Sequence, residues 1–410
     1  MMDGLVERCA GLDIHQATIV ATVRVPDEAG GRHVVTHTFG TMTVDLLALR
    51  EWLQAFGVTH VAMESTGVYW KPIYYLLEEH VAVLLVNMQH LKQVPGRKSD
   101  VKDSEWLAQL LECGLLRGSL VPPAPIRDLR DLTRYRKKQI EDRTQEINRL
   151  YRVLEEAGVK LASVMSDIMG RSGRAMLEGL LAGTTDPTVL ADLARGRLRP
   201  KIPALREALR GQFRSHHAFL IGQILTKIDF LEEAIAMLSE EIDRQLAPFA
   251  STVERLMTIP GWGRRTATTV FVETGGDMAR FCTAAHLCSW GAMCPGLDES
   301  AGKRRSGKTR DGNRFLRGAL IESALAATRA TGTALQARYR RVKRHRGHKK
   351  AIVAVGHQML EIAYYIMRDE VTYHELGADY FARRDRDRTV RRSVKQLEAL
   401  GYRVTLEEAA

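Results

Sequence analysis

Apolar positions change their spacing twice along this chain, and each change marks a different kind of structure. Over the first 120 residues, strand and helix signals alternate. Residues 10–14 lead into the β-branched run 17–25, and 34–39 is a second such run. Residues 44–56 then repeat apolar side chains at helical spacing. A strand over 58–63, an amphipathic helix over 68–77, a strand over 81–86 and a helix over 101–116 follow. Consecutive strands succeeded by β/α alternation predict an α/β unit, a mixed sheet flanked by helices. The stretch Val121-Pro122-Pro123-Ala124-Pro125 ends it.

Beyond these prolines the period is helical. Ile140, Ile147, Leu150 and Leu154 share one seam, and Ile224, Ile228, Leu231, Ile235, Leu238 and Ile242 step in a heptad. With Glu and Lys between the seam positions, that register favours a coiled coil within or between chains; a helix packed in a bundle reads the same way. Residues 170–210, rich in Gly, Arg and Leu, predict shorter helices. The character changes again near Leu256. Ile259-Pro260-Gly261-Trp262-Gly263 before 266–272 resembles a helix-hairpin-helix turn, whose backbone N–H groups can meet a phosphate. Helices are expected over 315–327 and 351–367, and a solvated or partly ordered extension over 383–392.

Charge divides the chain differently. The net charge is +11, from 60 Lys plus Arg against 49 Asp plus Glu. Residues 1–250 carry 31 basic and 32 acidic side chains, so the excess lies almost wholly in 251–410; residues 301–350 alone hold 16 basic and 2 acidic ones. A basic field confined to one region points to a polyanion, most often nucleic acid, over a merely solvated surface. No run approaches the roughly 18–20 apolar residues of a membrane span. Asp3, Glu7 and Arg8 interrupt any signal pattern at the start. Five cysteines without knot-like density fit a reducing cytoplasm. Cys282, Cys288 and Cys294 with His286 lack zinc-knuckle spacing and read as buried or free thiols.

The chemistry-bearing residues of the first unit are carboxylates. Asp13 ends one apolar strand in Gly11-Leu12-Asp13-Ile14-His15, and Glu64 ends another in Met63-Glu64-Ser65-Thr66-Gly67. Asp100 and Asp103 lie three apart at a helix start and so share a face. Singly, each has an ordinary role as helix cap, first-turn charge, turn residue or solvated strand end. Together on a β/α frame they repel unless cations neutralise them, which implies divalent metal. Oxygen-only ligation favours Mg²⁺ or Mn²⁺, suited to phosphodiester chemistry.

Gly302-Lys303-Arg304-Arg305-Ser306-Gly307-Lys308-Thr309 matches the phosphate-loop pattern by letter. No apolar strand precedes it and Arg310-Asp311-Gly312-Asn313 breaks any helix after it, so a basic loop bound to nucleic-acid phosphates is the better reading.

Taken together, Gly-Leu-Asp-Ile-His-Gln (11–16), Met-Glu-Ser-Thr-Gly-Val-Tyr-Trp (63–70), Lys-Ser-Asp-Val-Lys-Asp (98–103), Ile-Pro-Gly-Trp-Gly (259–263), Glu-Ser-Ala-Gly-Lys-Arg-Arg-Ser-Gly-Lys-Thr-Arg (299–310) and Gly-Asn-Arg-Phe-Leu-Arg (312–317) resemble the DEDD insertion-sequence transposases of the IS110 type, described as bridge-RNA-guided recombinases. The resemblance spans about residues 8–370. It implies an RNase H-like (RuvC-like) domain over 1–125, a helical coiled-coil region over 126–250, a mostly helical transposase domain over 251–370 and a charged tail over 371–410. It also implies that Asp13, Glu64, Asp100 and Asp103 are the metal-binding tetrad and Ser300 a nucleophile forming a covalent intermediate. The residues alone do not choose Ser300 over Ser306. The expected partners are donor and target DNA, a non-coding guide RNA and further copies of the chain as dimer or tetramer, without a membrane. Arg136, Lys137, Lys138, Lys303, Arg304, Arg305, Lys308, Arg310, Arg314, Arg317, Arg340, Arg341, Lys343 and Arg344 are the candidate nucleic-acid contacts, drawn largely from the clusters 134–138 and 338–350.

The expected function is thus site-specific recombination with a serine nucleophile. The alternatives are a RuvC-like structure-specific endonuclease that uses water, or a non-enzymatic nucleic-acid scaffold. A tyrosine recombinase is disfavoured because no HxxR motif occurs.

Overall fold

The computed structural model describes residues 6–28, 30–65, 67–87, 103–296, 298–300, 303–310, 312–380 and 386–406, and the chain divides into two compact units, 1–122 and 123–410.

The first unit is built on a five-stranded sheet of order β3-β2-β1-β4-β5. Strands β1 (Cys9–Ile14), β2 (Thr18–Pro26) and β3 (Arg32–Gly40) form an antiparallel meander. β4 (His60–Glu64) and β5 (Ala82–Val86) join β1 in parallel. The α/β expectation and its mixed RNase H-like sheet are therefore observed. β1 reads as a nearly continuous apolar run because both its faces are covered. Ala10, Leu12 and Ile14 point into a core shared with α1 (Thr43–Ala55) and α2 (Trp70–Leu77), where Leu46, Leu49, Leu53, Ile73 and Leu77 are buried. Cys9 and Ala62 face the other way, into a smaller cluster with Leu111 of α3 (Asp103–Glu112). α1 starts where the Asp45 carboxylate accepts a hydrogen bond from the Met42 backbone N–H at 3.2 Å, supplying one of the partners a helix start lacks.

The second unit is helical apart from one hairpin. Two long helices, α4 (Ala124–Glu156) and α5 (Ser215–Leu246), pack against each other. They run antiparallel: Glu146 meets Lys227, Arg143 meets Glu232 and Arg136 meets Ser239, so partner numbers rise on one helix as they fall on the other. The apolar seam of α5 is thus covered at least in part by α4 of the same chain; Ile228, Leu231 and Ile242 are buried in it. Residues 170–210 do form short helices, and Met176, Leu177, Leu190 and Leu205 close a core against Leu150, Leu154, Ile221 and Leu225 at one end of the pair. Then follow α6 (Ala250–Met257), α7 (Arg264–Thr274), α8 (Ala284–Trp290), the hairpin β6 (Asp298–Ser300) and β7 (Lys303–Ser306), α9 (Arg314–Ala327), α10 (Ala334–Arg346), α11 (His348–Asp369) and α12 (Arg386–Ala399). α11 is apolar on several sides and packs with α8, α9 and α10. Among the described residues no helix is long and apolar enough to cross a membrane.

Candidate active site

Parallel pairing brings two carboxylates side by side. Leu12 is in register with Met63 on β1 and β4, so Asp13 and Glu64 are the next residues on adjacent strands. Side chains alternate along a strand; Leu12 and Met63 enter the α1/α2 core, hence Asp13 and Glu64 face the other side. That side carries α3. The Cys9 Sγ donates to the Ala108 carbonyl at 3.5 Å. A Cβ on Gly11 would lie 2.5 Å from the Ala108 nitrogen and 2.1 Å from the Ser104 carbonyl oxygen, so only glycine lets the helix approach this closely. Thr22, paired with Gly11, holds the Ser104 hydroxyl at 2.8 Å. Moving along β1 from Cys9 to Gly11 therefore means moving back along α3 from Ala108 to Ser104, which puts Asp103, the first residue of α3, toward the Asp13 end.

Asp13 and Glu64 thus stand at the carboxyl ends of central parallel strands, where open α/β sheets bind their ligands. The Asp13 side chain is 22% exposed, and His15 Nε2 approaches its Oδ2 at 3.3 Å. Asp100, the fourth carboxylate, lies outside the described residues. Among the described residues no group of three or more His, Cys, Asp or Glu side chains is placed to hold a metal ion. The donors present are all carboxylate oxygens, the type that Mg²⁺ and Mn²⁺ take. A different acid shows the contrast. Glu112, at the far end of α3, accepts from Arg24 at 2.7 Å and Arg32 at 2.6 Å, a buried structural ion pair.

The residues around Ser300 form an antiparallel hairpin. Ser300 pairs with Lys303, Asp298 with Ser306, and a bridge between Pro295 and Thr309 extends the ladder. The side chains of Ser300, Lys303, Arg304, Arg305 and Ser306 lie outside the described ones. Residues 303–306 being a strand, with no helix before Arg314, agrees with the rejection of a phosphate loop.

The segment 258–263, whose sequence resembles a helix-hairpin-helix turn, joins α6 to α7. Gly261 adopts φ +84°, and a Cβ there would sit 2.8 Å from the Ser323 carbonyl and the Ala327 nitrogen of α9. Gly263 caps α7 with no side-chain bond. Farther along α7, Glu273 is fully buried and holds Arg134 through two 2.7 Å bonds. Asn313 donates to Glu273 at 2.5 Å while its own oxygen caps α9 through the Phe315 and Leu316 N–H groups. Arg130 adds two bonds to the Val272 carbonyl. Sequence reasoning missed this network and placed Arg134 in a nucleic-acid cluster; its one signal was a lone acid in the apolar run Val270-Phe271-Val272-Glu273.

The other candidate cations scatter. Lys138 is exposed and pairs with Asp142 at 2.9 Å. Lys308 and Arg310 are exposed, Arg317 is half-buried, and Arg314 lies 4.8 Å over the Phe315 ring. Arg340, Arg341, Lys343 and Arg344 project from α10 into solvent. Arg136 and Lys137 are half-buried on α4; burial, aided by nearby Arg265, pulls the Arg136 guanidinium below its ordinary range. The three cysteines form no metal group: Cys282 is exposed, and burial drives the Cys288 thiol far up.

Known proteins resemble both halves. Residues 10–158 match a family model of DEDD transposases of the IS110 kind, described as transposase, and residues 253–340 match one described as transposase of the IS116/IS110/IS902 family. The transposase for insertion sequence element IS1111A of Coxiella burnetii is 25% identical over 294 residues, 70% of this chain and 72% of that protein. The uncharacterized 42 kDa protein of insertion element IS900 of Mycobacterium paratuberculosis is 27% identical over 331 residues, 72% of this chain and 80% of its own. The uncharacterized 43.6 kDa protein of insertion element IS110 of Streptomyces coelicolor is 33% identical over 120 residues, 29% of each chain.

The match over 10–158 overturns the expectation of a serine-nucleophile recombinase. A DEDD transposase domain implies a RuvC-like nuclease dependent on metal and water. In such a domain the attacking oxygen comes from water, and the endonuclease alternative is the one that agrees with the match.

Proposed function

We propose, from homology to IS110/IS1111-family transposases in both halves, that this chain is the DNA-cutting and DNA-joining enzyme of an insertion sequence, whose first unit is a RuvC-like endonuclease using water as nucleophile. The observation that carries the reading is the DEDD match over residues 10–158, which includes both Asp13 and Glu64.

Asp13, Glu64 and Asp103, with Asp100, are the residues that would hold Mg²⁺ or Mn²⁺. Such a cation, when bound, supplies activation of water and stabilisation of the leaving oxygen. The chain's own part is geometric and electrostatic. β1 and β4 fix two carboxylates in one register, and α3 carries a third toward them. Lys308, Arg310, Arg340, Arg341, Lys343 and Arg344 supply exposed positive charge that DNA phosphates would neutralise, giving affinity that falls with salt. A guide RNA and a homo-oligomer rest on the sequence resemblance alone, and a cytoplasmic location on cysteine usage.

The test is cleavage of a labelled DNA substrate in ¹⁸O-water with Mg²⁺. Incorporation of one ¹⁸O into the product phosphate, with loss of cleavage in Asp13→Asn, is expected. A covalent protein–DNA adduct on a trapped substrate, or full activity of Asp13→Asn, overturns the reading.

A further inference from the structure

In the second unit a cavity of about 500 Å³ opens between α4, α7 and α9, and neither the hairpin nor α10 lines it. Its volume is within the range of small-ligand sites. Its wall is polar and mixed in sign: Arg136 and Lys137 come from α4 and Arg265 from α7, while Glu141 and Glu322 come from α4 and α9. Two further charges, Arg134 and Glu273, line it but are committed to each other. Among the described residues neither Lys137 nor Arg265 has an ion-pair partner, and Arg136 has only a long 3.4 Å bond to the Ser239 hydroxyl.

These cations are closely placed. The Lys137 ammonium lies 3.0 Å from where a Cβ on Gly318 of α9 would be, so its end packs close against that helix. Burial first and then nearby Arg265 disfavour the charge on Arg136, and Asp243 offsets this only in part. Three cations converging on one recess lower the free energy of a phosphate anion there. A bare phosphate would leave Glu141 and Glu322 repelling it; a nucleotide would not. Its phosphate takes the guanidinium and ammonium groups, while an exocyclic amino group on its base can donate to a carboxylate, as glutamate accepts from cytosine.

We infer that this cavity binds one unstacked nucleotide of a DNA strand, the phosphate held by Arg136, Lys137 and Arg265 and the base edge by Glu141 or Glu322. The inference rests on the reading that the chain acts on DNA, but not on its metal chemistry. The same phosphate chemistry could come from a free nucleotide, so the test has an arm for each source.

Full-length protein is titrated in EDTA with a fluorescent 12-nucleotide oligodeoxycytidylate, with oligothymidylate of the same length, and with dCMP as competitor. The double variant Arg136→Gln/Arg265→Gln is expected to weaken oligodeoxycytidylate binding by about 10- to 100-fold, the range for losing charge-assisted hydrogen bonds. The salt slope should flatten by about 0.7 for each lost phosphate contact. Thr144→Trp, from an exposed position on the cavity lining, removes no charge and should weaken binding likewise by filling the space. Oligothymidylate, lacking an exocyclic amine, should bind more weakly, and Glu141→Gln/Glu322→Gln should narrow the difference. Wild-type affinity and salt slope in both the charge variant and Thr144→Trp overturn the inference. So does dCMP competing as tightly as the 12-mer, which would assign the cavity to a free nucleotide. Because binding is read without metal, loss of water-dependent cleavage leaves this result standing, and the converse holds too.

Discussion

Two acidic side chains, one in each unit, are placed for opposite ends. In the helical unit Glu273 is fully enclosed, and Arg134, Arg130 and Asn313 surround it. In the sheet unit Asp13 keeps 22% of its side chain exposed at a strand end, beside an exposed histidine. An enclosed carboxylate ringed by cations has its charge and its lone pairs already used, so it fixes packing. A carboxylate at the mouth of a sheet retains lone pairs for a ligand. Removing the first should cost stability, and removing the second should cost chemistry.

The largest expected effect tests the sheet side. Asp13→Asn should lower metal-dependent cleavage by about 10²–10³-fold, the scale for losing one transition-state stabiliser, while thermal unfolding barely moves. Collapse of the fold instead would erase the contrast. On the helical side, Glu273→Ala leaves Arg134 and Arg130 without their acid and should cost about 3–5 kcal/mol in denaturant unfolding. Wild-type stability there would mean that the network is not what joins α4, α7 and α9. Gly11→Ala lies between the two cases. Its new methyl group meets the α3 backbone, which should destabilise the unit by about 3 kcal/mol and displace Asp103, so unfolding midpoint and cleavage fall together. Loss of one without the other would break the link between α3 packing and the site.

The smallest effect concerns pH. Burial alone would push Glu146 up, but hydrogen bonds from Lys227 and Arg149 outweigh it and hold the carboxyl below its usual 4.5. A depressed folded value means that this stabilisation is complete above about pH 4.5 and is lost as the pH falls below it. Glu146→Gln should therefore flatten the acid limb of the stability profile; an unchanged limb would make the pair incidental to the α4–α5 register.

Much of the first unit was legible because its signals are local. β-branched runs, a change from two-residue to helical spacing and the turn residues set each strand and helix in place, and Asp13 and Glu64 were already recognisable as strand-end acids. The α6–α7 turn was legible for the same reason, since Pro260, Gly261 and Gly263 encode it within a few residues. The seam of α5 was legible only as a seam: a heptad says that a face is covered, not by what, and the antiparallel partner is α4 of the same chain. The choice between a serine hydroxyl and water as the attacking oxygen was not legible, because a serine in a basic loop looks the same whether or not a carboxylate site activates water.

By itself, then, the sequence determined which segments are strands and helices, where the excess positive charge lies, and which acids end the central strands. Only the tertiary structure decided that Asp13 and Glu64 share a face, that α3 runs back along β1 because Gly11 lets it in, and that Glu273 claims Arg134 from 139 residues away. The reason is the range of the forces involved. Backbone preference and apolar periodicity act over a few residues and are written in order along the chain. Partners of buried charges are chosen by desolvation, which compels whichever cation the folded core brings within reach.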